Sequence, residues 1–213
     1  MTDLFDMQKI NNKPVGGIIL MKSKLTVLGL REMILTAIFS TLTIVFAQIS
    51  IKLPFSPIPI TMQTLAVCLA AAILGKKYGT ISQIVYVLTG VIGLPVFSGF
   101  NSGLGALLGP TGGYIVSFPF TAFIIGYIME KNKRGSKLSM FFAMLCGLVV
   151  CYTFGTLWLG FSLKLSFSKA LVAGIGWYLP LDIIKVFLAS FLAYNVRETL
   201  IKSGFLKGLY LSE

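Results

Sequence analysis

Asp182 and Lys185 are the residues whose types and setting most plainly point to chemistry. They lie in the apolar stretch LVAGIGWYLPLDIIKVFLASFLAYNV, from Leu171 to Val196, and Asp182 is the only carboxylate in the interior of a hydrophobic segment. A charge at membrane depth costs from about 2.5 kcal/mol upward, so such residues face a protein interior or a cavity and mark ligand or ion sites. Three residues apart on a helix, the two share a face and offer an anion and a cation to one bound group. A purely structural ion pair is the competing explanation. A buried pair is often no more stable than apolar packing, which makes it a poor choice for stability alone.

Other chemistries are narrowed by what the chain lacks. It has no histidine, which removes Ser-His-Asp and Cys-His nucleophiles and most zinc sites. Cys68, Cys146 and Cys151 all fall in apolar runs and read as small buried hydrophobes rather than a disulfide framework. No GxxxxGK[ST] phosphate loop occurs, so any ATP must be hydrolysed by a partner.

Two polar-poor connections are expected to converge with the charged pair on one cavity. LPVFSGFNSGLGALLGPTGGY, from Leu94 to Tyr114, carries six glycines between Gly99 and Gly113. Such a run is not a stable lipid-facing helix. It permits close backbone approach to a ligand and exposes N–H groups suited to a carboxylate, and the following helix N-terminus adds positive dipole at Gly112. The other connection, IKLPFSPIPITMQTL, holds Pro54, Pro57 and Pro59, which force an extended stretch before Thr61 and Gln63 enter a helix. Trp177, Tyr178, Tyr114, Phe97 and Phe100 supply an aromatic wall at the same level, where an interfacial belt would also place them.

The elements that must position these groups are membrane helices. The chain has 213 residues, 56% hydrophobic content and a mean hydropathy of +0.89, far from an ordinary soluble domain. Six apolar spans are predicted, at about 33–51, 61–75, 78–94, 113–130, 138–163 and 169–197, the second and third short enough to need tilt or burial in protein. The formal charge is +11, yet the cations lie in the connections, which argues for a membrane lipid environment and against nucleic acid. Lys76, Lys77, Lys131, Lys133, Arg134, Lys137, Arg197, Lys202, Lys207 and the basic residues before the first span share one side, against Lys52, Lys164 and Lys169 on the other. Both termini are therefore expected in the cytoplasm, in an all-α six-helix bundle. Residues 1–24 read as an extension, with Met21 a plausible start, 25–200 as the membrane substrate-binding domain and 201–213 as a tail. No secretory signal is expected in the acidic, polar first residues. In the first span, Thr36 with Ser40 and Ala37 with Thr41 form two small-residue rows that allow another helix to approach closely.

Three stretches in order, PIPITMQ (Pro57 to Gln63), GLPVFSGFNSGLGALLGPTGGY (Gly93 to Tyr114) and LPLDIIK (Leu179 to Lys185), resemble the BioY family, the biotin-capturing S components of energy-coupling-factor (ECF) vitamin transporters. The resemblance spans about Lys24 to Arg197. It implies a plasma-membrane protein, of bacterial type, that takes biotin as ligand without a cofactor. It also implies docking onto a transmembrane coupling subunit driven by two ATP-binding-cassette ATPases. Asp182 would accept from the ureido ring, Lys185 or Asn101 would donate to its oxygen, and Thr111 with the glycine-loop amides would meet the valerate carboxylate. Gly112, Tyr114, Gln63 and Trp177 complete the expected site. The family's docking motif in the first span is AxxxA; here Ala37 is followed by Thr41, with Ser40 beside it. Two other functions compete: an autonomous secondary transporter using the Asp–Lys pair for protonation, for which no two-fold repeat is evident, and an intramembrane enzyme, which lacks a nucleophile–base pair.

Overall fold

Inside a bilayer no water satisfies an open backbone, so long apolar runs fold as helices that close their own hydrogen bonds. The computed structural model describes residues 29–54, 56–132 and 136–203; the expected N-terminal extension, the Met21 start and the tail beyond Ser203 lie outside them. The long helices are α1 (Leu30–Gln48), α2 (Gln63–Val91), α4 (Gly112–Lys131), α5 (Lys137–Ser162) and α7 (Leu179–Lys202). These five are long and apolar enough to cross a membrane. Shorter pieces connect them: α3 (Gly103–Leu108), α6 (Phe167–Leu171), and a two-stranded ribbon of β1 (Ser50–Ile51) and β2 (Ile60–Thr61), paired antiparallel with Ser50 opposite Thr61.

The predicted second and third spans run together as α2, yet α2 is a hairpin. Gly75 breaks it with φ 77° and ψ −174°, a backbone conformation that essentially only glycine adopts. In a straight helix Gln63 and Tyr86 would stand about 34 Å apart. Instead the Gln63 Nε2 donates to the Tyr86 hydroxyl at 2.6 Å. The arms 63–74 and 76–91 close on small residues, since a Cβ on Gly79 would sit 2.9 Å from the Ala71 Cα. The new helix start at the bend is capped by α4: the Lys76 amide donates to Glu130 Oε1 at 2.8 Å, and the Lys76 ammonium pairs with Oε2 at 3.1 Å. Gly126 of α4 lies flat against this bend, where any side chain would strike the Lys76 backbone.

The predicted sixth span is likewise interrupted. Its first part is α6 and a five-residue π-turn (Val172–Gly176), and only α7, with Pro180 in its first turn, continues as a long helix. Proline has no amide to give, and at a helix start that amide would have no partner in the helix in any case. The glycine-rich connection also differs from a plain loop, because Gly103–Leu108 forms one and a half turns of helix.

The two small-residue rows of α1 part company. Thr36 and Ser40 are buried against the bundle, whereas Ala37 and Thr41 are exposed. Ser40 therefore packs within the chain and is not available to a partner, a correction to the sequence reading. Large apolar side chains such as Phe142, Leu157, Phe161, Phe187 and Phe191 cover the outside of α5 and α7, as a lipid-facing surface requires.

Gly126→Leu is expected to destabilise the detergent-solubilised protein by about 1–3 kcal/mol, because it overpacks the Gly75 bend. Gly105→Ala should be neutral, since open space surrounds that position. Thermal unfolding of both variants checks this, and equal melting temperatures would mean that the α4–bend contact is loose.

Candidate functional site

Proline at the start of α7 sets where Asp182 falls: in the first turn, with its amide bonded to the Tyr178 carbonyl at 2.9 Å. There the positive end of the helix dipole favours a carboxylate. Lys185, one turn on, donates to Asp182 Oδ1 at 2.7 Å and to the Thr61 carbonyl at the end of β2, also at 2.7 Å. Thr64 of α2 donates to Oδ1 at 3.1 Å, and Tyr152 of α5 donates to Oδ2 at 2.6 Å. Both charged residues are buried.

The hydrogen-bond inventory leaves a defined remainder. An ionised carboxylate accepts about four bonds and an ammonium donates three. From the described residues Asp182 receives three and Lys185 gives two, which leaves the pair one acceptor site and one donor. An acceptor beside a donor suits the edge of a cyclic urea or amide, which presents an N–H next to a carbonyl.

The pair lies at the wall of a cavity of about 610 Å³, within the range of small-molecule sites. Phe97, Ile115, Phe118, Leu53 and Ile58 give it apolar surface, and Tyr114, Tyr152 and Tyr178 give amphipathic surface. Three tethers hold the wall together. Gln48 at the end of α1 clasps the glycine-rich connection, donating to the Val96 and Phe97 carbonyls at 3.3 and 3.2 Å and accepting from the Phe100 amide at 3.1 Å. Trp158 donates to the Gly109 carbonyl at 2.9 Å. The Tyr178 hydroxyl donates to the Ile58 carbonyl at 2.6 Å and meets Ser56 Oγ at 2.6 Å, pinning the proline-rich segment to the start of α7.

Of the residues singled out from sequence, the cavity wall contains Asp182, Lys185, Asn101, Thr111, Tyr114 and Gln63. Gln63 is fixed on both sides, donating to Tyr86 and accepting from Thr61 Oγ1 at 2.9 Å. Tyr114 donates to the Gly174 carbonyl at 2.9 Å, and Asn101 stands at the exposed rim with Nδ2 donating to the Ser98 carbonyl at 2.7 Å. Gly112 is not on the wall: a Cβ there would run into the Leu107 carbonyl, so its smallness serves the α3–α4 junction. Trp177 is 57% exposed and borders a separate shallow recess with Ser168 and Lys169, and Phe100 is exposed as well. Sequence reasoning missed Thr64 and Tyr152. Each sits in an apolar run on a different helix from Asp182, and their shared partner is visible only once the helices are packed. Among the cysteines, Cys68 and Cys151 are buried and Cys146 faces outward.

Comparison with known proteins now bears on this geometry. Residues 21–202 match the BioY family. The chain is 38% identical over 170 residues to the biotin transporter BioY of Thermotoga maritima, covering 79% of this chain and 97% of that protein. It is 38% identical over 174 residues to that of Rhizobium etli, covering 78% and 92%. Among solved structures, the crystal structure of the S component for biotin from an ECF-type ABC transporter aligns with a TM-score of 0.75 and 29% identity, over 79% of this chain and 91% of that one.

Lys185→Met alone is expected to cost about 3–5 kcal/mol, because it strands a buried carboxylate, and the double variant Asp182→Asn/Lys185→Met should recover most of that loss. Unfolding of the purified protein measures the cycle. Simple additivity of the two single losses would show that the pair is not coupled.

Proposed function

The chain belongs to the BioY family, and from that premise we propose that it captures biotin in the cavity beside Asp182 and Lys185, as the S component of an ECF-type importer. Its relatives are named as transporters, and it is a membrane transport protein, not an enzyme. The observation that carries the ligand assignment is the single acceptor and single donor left on the buried pair. The ureido ring of biotin offers an N–H and a carbonyl at that spacing, and the apolar wall receives its bicyclic body. Asp182 takes the ring N–H and Lys185 donates to the ring oxygen. Asn101 offers its remaining amide hydrogen to a ligand oxygen from the rim, and Thr111 a hydroxyl. Gln63 and Tyr114 shape the wall, while Gly112 and Trp177 act only through the packing around it. Biotin is bound as cargo and no cofactor is needed.

The hairpin at Gly75 makes six crossings the natural count, with α2 contributing both arms. Lys76, Lys77, Lys131 and Lys137 gather at the end where the hairpin bends, away from the cavity, and the positive-inside rule then puts both termini in the cytoplasm and the cavity mouth outside. In this reading the chain works in the plasma membrane of a bacterial-type cell. A transmembrane coupling subunit and two ATP-binding-cassette ATPases supply the energy, since the chain carries no phosphate loop. The exposed row of Ala37 and Thr41 is the surface we assign to the coupling subunit. The autonomous secondary transporter is the weaker reading, because the sequence carries no evident two-fold repeat.

Saturable binding of labelled biotin to the purified chain, displaced by desthiobiotin and not by thiamin, is the direct test. Asp182→Asn leaves Lys185 unpaired and should lose stability, and its folded fraction should bind biotin at least about tenfold more weakly, having lost a charge-assisted bond. Full affinity in that variant would refute the head-group assignment, and biotin accumulation in vesicles holding this chain alone would favour the secondary transporter. Ala37→Leu should leave biotin binding intact while weakening co-purification with the coupling subunit. Unimpaired assembly would place the docking row elsewhere.

A further inference from the structure

Asp182 and Lys185 neutralise one another, which leaves one formal charge among the described residues of the cavity wall: Lys52. It follows β1 on the proline-rich connection and is exposed at the cavity rim. No other described residue forms an ion pair with it. The described acids are distributed so that none can. Apart from Asp182, the described carboxylates are Glu32, Glu130 and Glu198, on α1, α4 and α7 at the ends of those helices remote from the cavity. The glycine-rich connection that faces Lys52 carries no charge. Its backbone runs close beside that residue: a Cβ on Gly99, where φ is +70°, would stand in ordinary contact with the Lys52 ammonium, 3.9 Å away.

The cavity is therefore asymmetric in charge. A neutral, hydrogen-bonding pair lies buried on its wall, and an unanswered cation stands at its rim. The complementary ligand is a monoanion with an uncharged polar head and an anionic tail. We infer that Lys52 is the carboxylate-selecting residue of this site, giving the chain its preference for a free acid over the neutral amide of the same molecule. The inference rests on the biotin reading above, and it moves the carboxylate from Thr111 and the loop amides to the Lys52 ammonium.

Biotin and biotin amide share the ring system and differ in the tail charge, so their affinities for the purified full chain isolate this contact. The wild-type chain should bind the acid more tightly, and its advantage should shrink as salt is raised, because the contact is exposed to solvent. Lys52→Gln should weaken acid binding about tenfold while leaving the amide within about twofold, collapsing the preference. Lys52→Arg should restore most of it. An equal loss for both ligands would make Lys52 a support of the loop, and no loss for either would make it a bystander; each result overturns the inference. Failure of the wild-type chain to bind either compound would instead sink the biotin reading, and the role of Lys52 with it.

Discussion

The contact between the Lys185 ammonium and the Asp182 carboxylate, 2.7 Å apart and buried, is the constraint around which the rest of the molecule is arranged. Neither group is tolerable alone in a low-dielectric interior, so each must be answered by the other and by further hydrogen bonds. Those further bonds come from three directions: the Thr61 carbonyl after the proline-rich segment, Thr64 on the first arm of α2, and Tyr152 on α5. Satisfying one ion pair thereby ties three parts of the bundle to the start of α7. The same requirement explains the short ribbon. Pairing Ser50 with Thr61 fixes the register of the segment that delivers the carbonyl, and Tyr178 holds that segment from the other side.

A cavity of this size beside a buried ion pair asks the remaining bundle to be tightly closed elsewhere, and small residues do that work. The first arm of α2 is almost wholly buried, from Leu65 to Leu74, with alanines facing Gly79 on the return arm. Gly126 of α4 admits the Gly75 bend. Helices in lipid gain little from apolar burial against one another, so close backbone packing and satisfied polar groups must hold them together. Thr43, Gln83 and Ser82 form one such polar cluster between α1 and the second arm of α2, with Gln83 Nε2 donating to both hydroxyls at 3.2 Å. Its residues lie off the cavity wall, and its effect is to fix how α1 lies on the hairpin while one face of α1 stays exposed.

Much of this was legible in the order of residues. Asp182 and Lys185 stood out because charge inside an apolar run is costly whatever the fold, and Gln63, Thr111, Asn101 and Tyr114 followed from the motifs around them. Segment type was legible for the same reason, since about twenty apolar residues leave little choice but a helix. Where the chain bends inside such a segment was harder to read. Gly75 and the π-turn at Val172–Gly176 are local departures within apolar runs, and hydropathy averages over them. Trp177 and Gly112 illustrate a second limit. Nearness in sequence to a site residue does not place a residue on the cavity wall: Trp177 borders a separate recess, and Gly112 is packed against the Leu107 carbonyl. Thr64 and Tyr152 illustrate a third, because a hydrogen bond across helices leaves no spacing to find.

The distribution of charge joins the site to the membrane. Burying a net charge beside the ligand would be costly, whereas a neutral pair at depth meets an uncharged polar head without that penalty. The tail of an acidic ligand needs a counter-charge, and the rim is where one is affordable, because water there screens Lys52 while the site is empty. In the proposed site, strong groups at depth read shape and hydrogen-bond pattern, and a solvated group at the entrance reads sign. Lys76, Lys77, Lys131 and Lys137 stand at the far end of the bundle, whereas Lys164 and Lys169 share the end of Lys52. In the proposed reading the far-end cations serve orientation and Lys52 serves capture, with the long apolar helices between them.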